Sequence, residues 1–582
     1  THQSWNSSRS ALAGIELRPV GALLLKTVMA MLERLWTVLG EQLDRQLDRD
    51  DADDDQIDAQ GQELVDECYD ITGKAIRGAL VGIACWTPAL AKRGFSPQAH
   101  INWDSVSESN NGYFLSAVKN SLSAYKQQKT VRNAASPAQS IAEFAECYRT
   151  LFKAAESSPT ERFRRVRKPV SVVDQDEETV FSIETLRELL HRIKWRKAIG
   201  PDNLPADVFK VCPDAAAPVL SVMFRVFWAH QILPTVWQKA YIIPIPKKEA
   251  DLSDPGQWRG IALQSHAKKL FENGVKALLR KKGWTRVHTL QTGFQPRTGA
   301  LEAVYAIDEL TAKYKREKQP LLVALLDIRK AYDRTPRALV FRKLMERGAP
   351  GHVIGVLQAL LDSCSVSIRF GADTSYPVPV ELGVPQGDVL SPDLFNLYVD
   401  DLPPRLIEVC GRFGGCPYYG DVAIPVVMYA DDQTLVHWRS DAMQAMLDEV
   451  EKYAAEHHYS YNVAKCQILH PPGTTRSPLF LSGVQIPAVD HASLLGVQLT
   501  NGMIDHQRQL SDRLRQAEGA MIGIEKLGGL HSPSLPMAKK RLLVTAYGRS
   551  RGEYGMAIAL HSVTALKKVN SLVKSLTGER FQ

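Results

Sequence analysis

Two apolar runs in the second half of the chain each end at acidic residues. Residues 321–326 contain only Leu, Val and Ala, and Asp327 follows them. A short, continuous apolar run predicts a buried β-strand. Residues 426–438 place Asp431 and Asp432 between two β-prone runs, which predicts a β-hairpin with both acids at its turn. We therefore expect two strand ends to carry three carboxylates.

Asp431 and Asp432 need water or a cation beside them, because adjacent ionised carboxylates repel each other and resist burial. A solvent-exposed turn would meet this need without any function. Asp327 at the other strand end favours a shared site, since three clustered acids offer the hard oxygen ligands that suit Mg²⁺. Such a cluster is what two-metal phosphoryl transfer requires.

The length and composition of the chain indicate a globular protein of several domains. The 582 residues predict two to four domains, and contents of 45% hydrophobic and 23% charged residues are those of a folded chain. The net charge of +7 is compatible with a polyanionic partner but does not require one.

The cysteines and the apolar segments indicate the cellular compartment of the protein and whether it associates with a membrane. The eight cysteines are scattered without a C-x-x-C pair, which favours free thiols in a reducing, intracellular compartment, either nucleus or cytoplasm with an organelle left open. No apolar run approaches the roughly 18 residues that a membrane helix needs, so we expect no membrane partner. The chain opens on Thr1 rather than Met, and we expect a fragment or processed product.

Three short motifs lie along the chain in a characteristic order. Tyr429-Ala430-Asp431-Asp432 resembles the Y-x-D-D box of reverse transcriptases, and residues 326–333 resemble the acidic box that precedes it. Residues 383–392, Gly-Val-Pro-Gln-Gly-Asp-Val-Leu-Ser-Pro, lie between them as the third box. The chain most resembles LINE-type, non-LTR retrotransposon polymerases, over roughly residues 180 to 500. Further segments resemble other boxes of the family: 197–202, 291–294, 462–465 and 494–497.

The resemblance implies an α+β fold of right-hand shape, with fingers, an antiparallel palm sheet and a helical thumb. We expect a largely helical N-terminal extension over residues 1–165, fingers and palm over 166–500, and a thumb, truncated or complete, over 501–582. A generic helical bundle fits this last segment equally well. Residues 86–90 faintly resemble a segment found after the endonuclease domain of such polyproteins. The chain is then the polymerase portion of a longer protein.

The resemblance also implies roles for the acidic residues. Asp327 and Asp431 would bridge two Mg²⁺ ions, with Mn²⁺ as an alternative, and Asp432 would be a more peripheral ligand. The carbonyl oxygen of Ile328 would ligate as well. Lys465 would act as a general acid for pyrophosphate, although a packed or exposed lysine explains it nearly as well.

Five other residues would contact the incoming nucleotide. Lys247 and Arg259 would neutralise its phosphates from a fingers hairpin, and Tyr332 would exclude a 2′-hydroxyl. Gln386 and Gly387 would line the nucleotide and template pocket. The chain departs from the family at Gly260, where proline is common, and at residues 295–299, which weakens the template-contact role implied for the box at 291–294.

The implied function is that of an RNA-directed DNA polymerase. Its partners would be an RNA template, a DNA primer or RNA–DNA hybrid, and dNTPs. Two alternatives remain: a polymerase-derived scaffold within a ribonucleoprotein that has lost turnover, and an RNA-templated RNA polymerase, which the bulky Tyr332 disfavours. Oligomeric state is open.

Overall fold

The structure is a computed structural model that describes most of the chain from residue 19 to residue 558. The described residues are 19–47, 54–82, 115, 118, 137–153, 163, 166–172, 174–195, 197–247, 254–370, 373–474, 476–526 and 535–558. The segment 86–90 and residues 559–582 of the predicted thumb lie outside these ranges.

Helices make up much of the described chain. They are α1 Pro19–Leu47, α2 Asp54–Gly82, α3 Pro137–Phe152, α4 Gln175–Val180, α5 Ile183–Arg192, α6 Ala206–Val211, α7 Pro213–His230, α8 His266–Lys281, α9 Ala300–Arg316, α10 Arg337–Glu346, α11 Gly351–Leu361, α12 Ser391–Tyr398, α13 Leu402–Gly411, α14 Ser440–Glu456, α15 His506–Glu525, α16 Met537–Leu543 and α17 Ser550–Gly552. The long helices α1, α2 and α3 confirm the helical N-terminal region within the described residues.

The strands are short, and several form hairpins. They are β1 Lys239–Pro246, β2 Trp258–Leu263, β3 Leu322–Asp327, β4 Ser365–Phe370, β5 Asp373–Thr374, β6 Val378–Pro379, β7 Tyr418–Tyr419, β8 Val422–Ala423, β9 Val426–Tyr429, β10 Asp432–His437, β11 Gln467–Leu469, β12 Phe480–Leu481, β13 Val484–Gln485, β14 Ala488–Val489, β15 His491–Leu494, β16 Val497–Thr500 and β17 Met503–Ile504. Mixed helix and sheet confirms the α+β class.

The chain divides into two units, each built from separate stretches. The first contains Thr1–Gly94, Ala135–Arg286 and Tyr332–Tyr398, and the second contains Phe95–Ala134, Val287–Ala331 and Val399–Gln582. The predicted boundaries at 165 and 500 stay predictions.

The first unit holds a sheet in which β1 pairs with β2 antiparallel and with β4 parallel. Helix α3 covers it, because Phe144 and Tyr148 pack in one apolar cluster with Trp258 of β2. Elsewhere in this unit, an aromatic core joins Phe181 and Phe271, whose rings stack 5.2 Å apart. Ser182 is the N-cap of α5, where its side chain accepts a hydrogen bond from Thr185 N (3.2 Å).

The second unit is built around a sheet of strand order β14-β11-β3-β10-β9. β3 is central, and its residues Leu322, Val323 and Ala324 are almost fully buried, as its apolar sequence predicted. Helix α9 packs against this sheet through Val304, Ile307 and other apolar residues. A rigid central strand therefore ends at Asp327.

No helix within the described ranges is long and apolar enough to cross a membrane.

Candidate active site

The register of β3 and β10 places Asp327 directly opposite Asp432. Opposed residues of an antiparallel pair project to the same face of the sheet, with Cβ atoms about 4.5–5.5 Å apart. On its other side, Asp432 lies opposite Tyr429 of β9. The predicted meeting of acids from two distant segments is thus a consequence of strand pairing in the central sheet.

The turn between β9 and β10 is tighter than the sequence suggested. Its two residues are Ala430 and Asp431, and Asp432 is already the first residue of β10. The prediction of both acids at the turn is therefore wrong for Asp432, because a two-residue loop suffices to reverse a twisted hairpin. Ala430 has φ of 54°, a left-handed conformation that costs a non-glycine residue roughly 1 kcal/mol.

The electrostatics of the cluster reflect crowded negative charge. Burial, followed by the charges of Asp431 and Asp327, raises the pKa of the Asp432 carboxyl to about 6, although the charge of Lys465 lowers it. Lys465 Nζ lies 3.3 Å from Oδ2 of Asp327, and the lysine side chain is 60% exposed. A partly exposed pair of this kind adds little stability. Its cation only partly offsets three carboxylates.

The backbone around Ile328 directs a further oxygen toward the acids. Ile328 pairs with Tyr461 in an antiparallel bridge. The bonds of this bridge run from Asn462 N to Asp327 O (2.8 Å) and from Arg329 N to Ser460 O (2.9 Å). Since successive residues of a strand turn their backbone groups to opposite edges, the carbonyl of Ile328 faces the edge of β3 that β10 occupies.

This donor set fits Mg²⁺ when substrate supplies the remaining ligands. Among the residues that the structure describes, no three acidic, histidine or cysteine side chains are arranged to hold a metal by themselves. Mg²⁺ is usually held by one or two carboxylates, waters and substrate phosphates rather than by a complete protein cage. The raised pKa of Asp432 is the observation that favours a cation here, because a divalent ion would relieve the repulsion that causes it.

Lys247 and Arg259 lie on the predicted hairpin of the first unit. Arg259 is opposite Ile245 in the β1–β2 ladder, and Lys247 N donates to Gln257 O (3.2 Å) just beyond it. Both side chains are exposed. The hairpin was predicted correctly, and both cations lie near the end at which the chain passes from β1 to β2.

Tyr332, Gln386 and Gly387 also belong to the first unit. Tyr332 begins a short 3₁₀ turn and stacks on Phe395 of α12, with ring centroids 4.8 Å apart. Gln386 O accepts a bond from Ala262 N (3.4 Å), and Gly387, at φ of 103°, accepts one from Lys269 Nζ (3.2 Å). The loop that carries Gln386 and Gly387 is therefore held against β2 and α8.

Sequence reasoning missed a buried ion cluster behind this loop. Asp388 follows Gly387 directly, and its Oδ2 lies 3.5 Å from Nζ of Lys268 on α8. Lys268 also lies 3.3 Å from Glu272, one turn later. Burial disfavours both carboxylates, but Lys268 lowers the pKa of Asp388, whereas that of Glu272 stays well above its usual range. The i, i+4 spacing of Lys268 and Glu272 was the available signal.

Acids at neighbouring ends of two antiparallel strands, β3 and β10, are an arrangement typical of the palm of nucleic-acid polymerases. Residues 245–499 match the family described as "Reverse transcriptase (RNA-dependent DNA polymerase)". The chain therefore contains a reverse transcriptase domain, and its relatives are RNA-directed DNA polymerases of non-LTR retrotransposons. The resemblance drawn from the three boxes is confirmed.

Individual relatives show how far the similarity extends. The probable RNA-directed DNA polymerase from transposon X-element of Drosophila melanogaster is 25% identical over 58% of this chain and 37% of its own length. The Pol polyprotein of retrotransposable element R2 from Popillia japonica is 28% identical over 40% of this chain and 32% of its own. The chain thus spans about a third of these relatives.

A telomerase structure from Candida albicans is similar at 12% identity and a TM-score of 0.32, covering 60% of this chain and 62% of that one. A likeness this distant carries no argument about the present protein.

Proposed function

We propose that this chain is an RNA-directed DNA polymerase that adds deoxynucleotides to a primer 3′-hydroxyl on an RNA template. The pairing of Asp327 with Asp432, next to Asp431, is the observation that carries the proposal, because it concentrates negative charge where a metal-assisted phosphoryl transfer needs it. The names of the relatives support the same activity. Template, primer and dNTPs are accordingly the proposed partners.

The acids would hold two Mg²⁺ ions, with Mn²⁺ as an alternative. Asp327 and Asp431 would contact both ions, Asp432 would be the more peripheral ligand, and the Ile328 carbonyl would complete the protein's share. When bound, such ions activate the 3′-hydroxyl and neutralise charge on the leaving pyrophosphate. The chain's own contribution is to fix these oxygens on a rigid strand end, so that little rearrangement accompanies reaction.

The cations would act on the triphosphate. Arg259 offers a planar fork for two phosphate oxygens, and Lys247 a point charge on the same hairpin. Lys465, whose Nζ lies 3.3 Å from Asp327 Oδ2, would donate a proton to the pyrophosphate as general acid. Tyr332, fixed by Phe395, would block a 2′-hydroxyl, and Gln386 and Gly387 would line the nucleotide and template pocket.

Primer extension tests the proposal. Purified protein, an RNA template with an annealed DNA primer, dNTPs and Mg²⁺ should give extension that EDTA abolishes. We expect Asp431→Asn and Asp327→Asn to lower the rate at least about 100-fold, the scale on which preorganised charge stabilisation acts. Asp421→Asn, an exposed acid in the β7–β8 turn, is the matched control and should retain full activity.

Other outcomes separate the alternatives. Wild-type protein that binds RNA tightly but never extends a primer would support the scaffold. Preference for NTPs over dNTPs would indicate an RNA polymerase. Equal activity in wild type and Asp431→Asn would contradict the assignment of the acids.

A further inference from the structure

Gln291 holds the turn that carries Asp431. Its Oε1 accepts hydrogen bonds from Ala430 N (2.9 Å) and from Gly293 N (3.1 Å), and its Nε2 donates to Ala430 O (3.4 Å). The side chain therefore bonds to both backbone groups of the first turn residue. Gln291 is 2% exposed, so all of these bonds form away from bulk water.

The chain around Gln291 is fastened to β9 next to this turn. Met428 N donates to Leu290 O (2.8 Å), and Thr292 N donates back to Met428 O (2.8 Å), which makes a parallel bridge between Gln291 and Met428. Thr292 Oγ1 adds a second bond to Met428 O (2.8 Å). The backbone that carries Gln291 is thus bonded to β9, and this pairing places the Gln291 amide beside the β9–β10 turn.

Gly293 shows how closely the two segments approach. A Cβ at this position would lie 2.3 Å from Ala430 N and 2.9 Å from the carbonyl carbon of Tyr429, distances that no real contact allows. Glycine is needed here so that the segment can lie against the turn. The contact is therefore part of the fold and not a chance approach of two loops.

The turn needs such support because of its own conformation. Ala430 adopts φ of 54°, which alanine disfavours, and a non-glycine residue stays there only when its surroundings fix it. The bonds from Gln291 to both sides of Ala430 supply that constraint. Without them, the turn can relax to other geometries, and Asp431 would change direction with it.

We infer that Gln291 is a positioning residue that fixes the Ala430–Asp431 turn and thereby the direction of the Asp431 carboxylate. The inference rests on the proposed function. For Gln291, a positioning role replaces the template-contact role that the resemblance implied for the box at 291–294. Both polar atoms of this side chain are already hydrogen-bonded inside the protein.

Hydrogen exchange tests the clamp without substrate or metal. In EDTA, Gln291→Met should speed exchange of the peptide covering residues 426–437 at least about tenfold relative to wild type, because the Ala430 amide loses its acceptor. Gln295→Met is the matched control. It lies in the same segment, and its Nε2 donates to Gly293 O rather than to the hairpin, so its exchange should equal that of wild type. Unchanged exchange in Gln291→Met would overturn the inference whether or not the protein is a polymerase.

Kinetics test the consequence for activity. Gln291→Met should lower kcat for primer extension about 10- to 100-fold, with the KM for dNTP and the Kd for primer–template within threefold of wild type. Gln291→Glu provides a second readout. Protonated glutamic acid can accept from Ala430 N and donate to Ala430 O, so its activity relative to wild type should rise several-fold between pH 8.5 and pH 6.5, while that of Gln291→Met should not change with pH.

Fast exchange together with wild-type kcat would contradict a positioning role and leave the proposed function intact. An inactive wild type would instead refute the proposed function, and hydrogen exchange would still decide on the clamp. If Gln291→Met fails to fold, Gln291→Glu replaces it in both measurements. Exchange and activity that, each divided by the wild-type value at the same pH, do not vary with pH would then overturn the inference.

Discussion

The pKa values of two acidic residues, Asp432 and Asp388, depend on burial and on the groups that contact them. Asp432 has a raised pKa because burial and two neighbouring carboxylates oppose its ionisation. Asp388 has a lowered pKa because the charge of Lys268 and several hydrogen bonds to the carboxylate together outweigh its burial. Both acids belong to short motifs that were visible in the sequence. Each acid also has a charged partner more than 100 residues away in the chain, Asp327 for Asp432 and Lys268 for Asp388.

Tyr332 is expected to select the sugar of the incoming nucleotide. Tyr332→Ala should lower the ratio of kcat/KM for dNTP over NTP at least about tenfold, because a buried clash with the 2′-hydroxyl is removed. Single-nucleotide incorporation measures this ratio. Tyr376→Ala, an exposed tyrosine of the same unit, should leave the ratio unchanged. Unaltered sugar discrimination in Tyr332→Ala would rule out the role.

The buried cluster behind Gly387 should respond unequally to neutralising its members. Lys268→Met leaves Asp388 without its cation and should lower the free energy of unfolding by about 3–5 kcal/mol. Glu272→Gln should change it by less than about 1 kcal/mol, since glutamine resembles the protonated carboxyl that the raised pKa implies. Urea denaturation measures both values. Equal effects would show that Glu272 is ionised.

At the scale of elements, helix α3 packs against the β1–β2 hairpin. The family resemblance predicted the hairpin, but no local signal predicted that α3, roughly 100 residues earlier, would cover it. This packing also explains Gly260. A Cβ there would lie 2.1 Å from the hydroxyl of Tyr148, so in this chain the tyrosine fills the space beside the strand.

Gly260→Ala should therefore destabilise the hairpin by about 1–3 kcal/mol, as overpacking does. Tyr148→Phe removes the closest atom, and in that background the same substitution should cost at least about 1 kcal/mol less. Thermal unfolding of wild type, the two single variants and the double variant gives the coupling energy. Gly519→Ala, at an open position in helix α15, is the control and should stabilise slightly. Additive effects would contradict the Gly260–Tyr148 contact.

At the scale of the whole molecule, each unit draws on separate stretches of chain, and its stability depends on groups brought together from all of them. In the first unit, His230 ends α7 at 2% exposure. Burial, followed by the charges of Arg167 and His352, lowers its pKa to about 4. Asp44 Oδ1 lies 3.0 Å from its Nε2, but that carboxylate also accepts from Val170 N (3.0 Å) and does not offset burial.

Stability should consequently fall in acid. A histidine whose pKa is lowered on folding binds its proton more readily in the unfolded chain, so stability is lost as pH falls from about 6.5 to about 4. We expect the free energy of unfolding to drop by roughly 2 kcal/mol between pH 7 and pH 5 from this group. His230→Leu should remove that part of the slope in urea denaturation. If the free energy of unfolding depended on pH equally in wild type and His230→Leu, the role of His230 in acid destabilisation would be refuted.

The sequence by itself determined the apolar strand that ends at Asp327, the β9–β10 hairpin and the motifs of a reverse transcriptase domain, because each of these depends on neighbouring residues. Only the tertiary structure decided that Asp432 belongs to the strand opposite Asp327, that Gln291 clamps the turn at Ala430, and that Lys268 neutralises Asp388. Strand register and side-chain hydrogen bonds join positions far apart in the chain, and local periodicity contains no information about which distant partner is chosen.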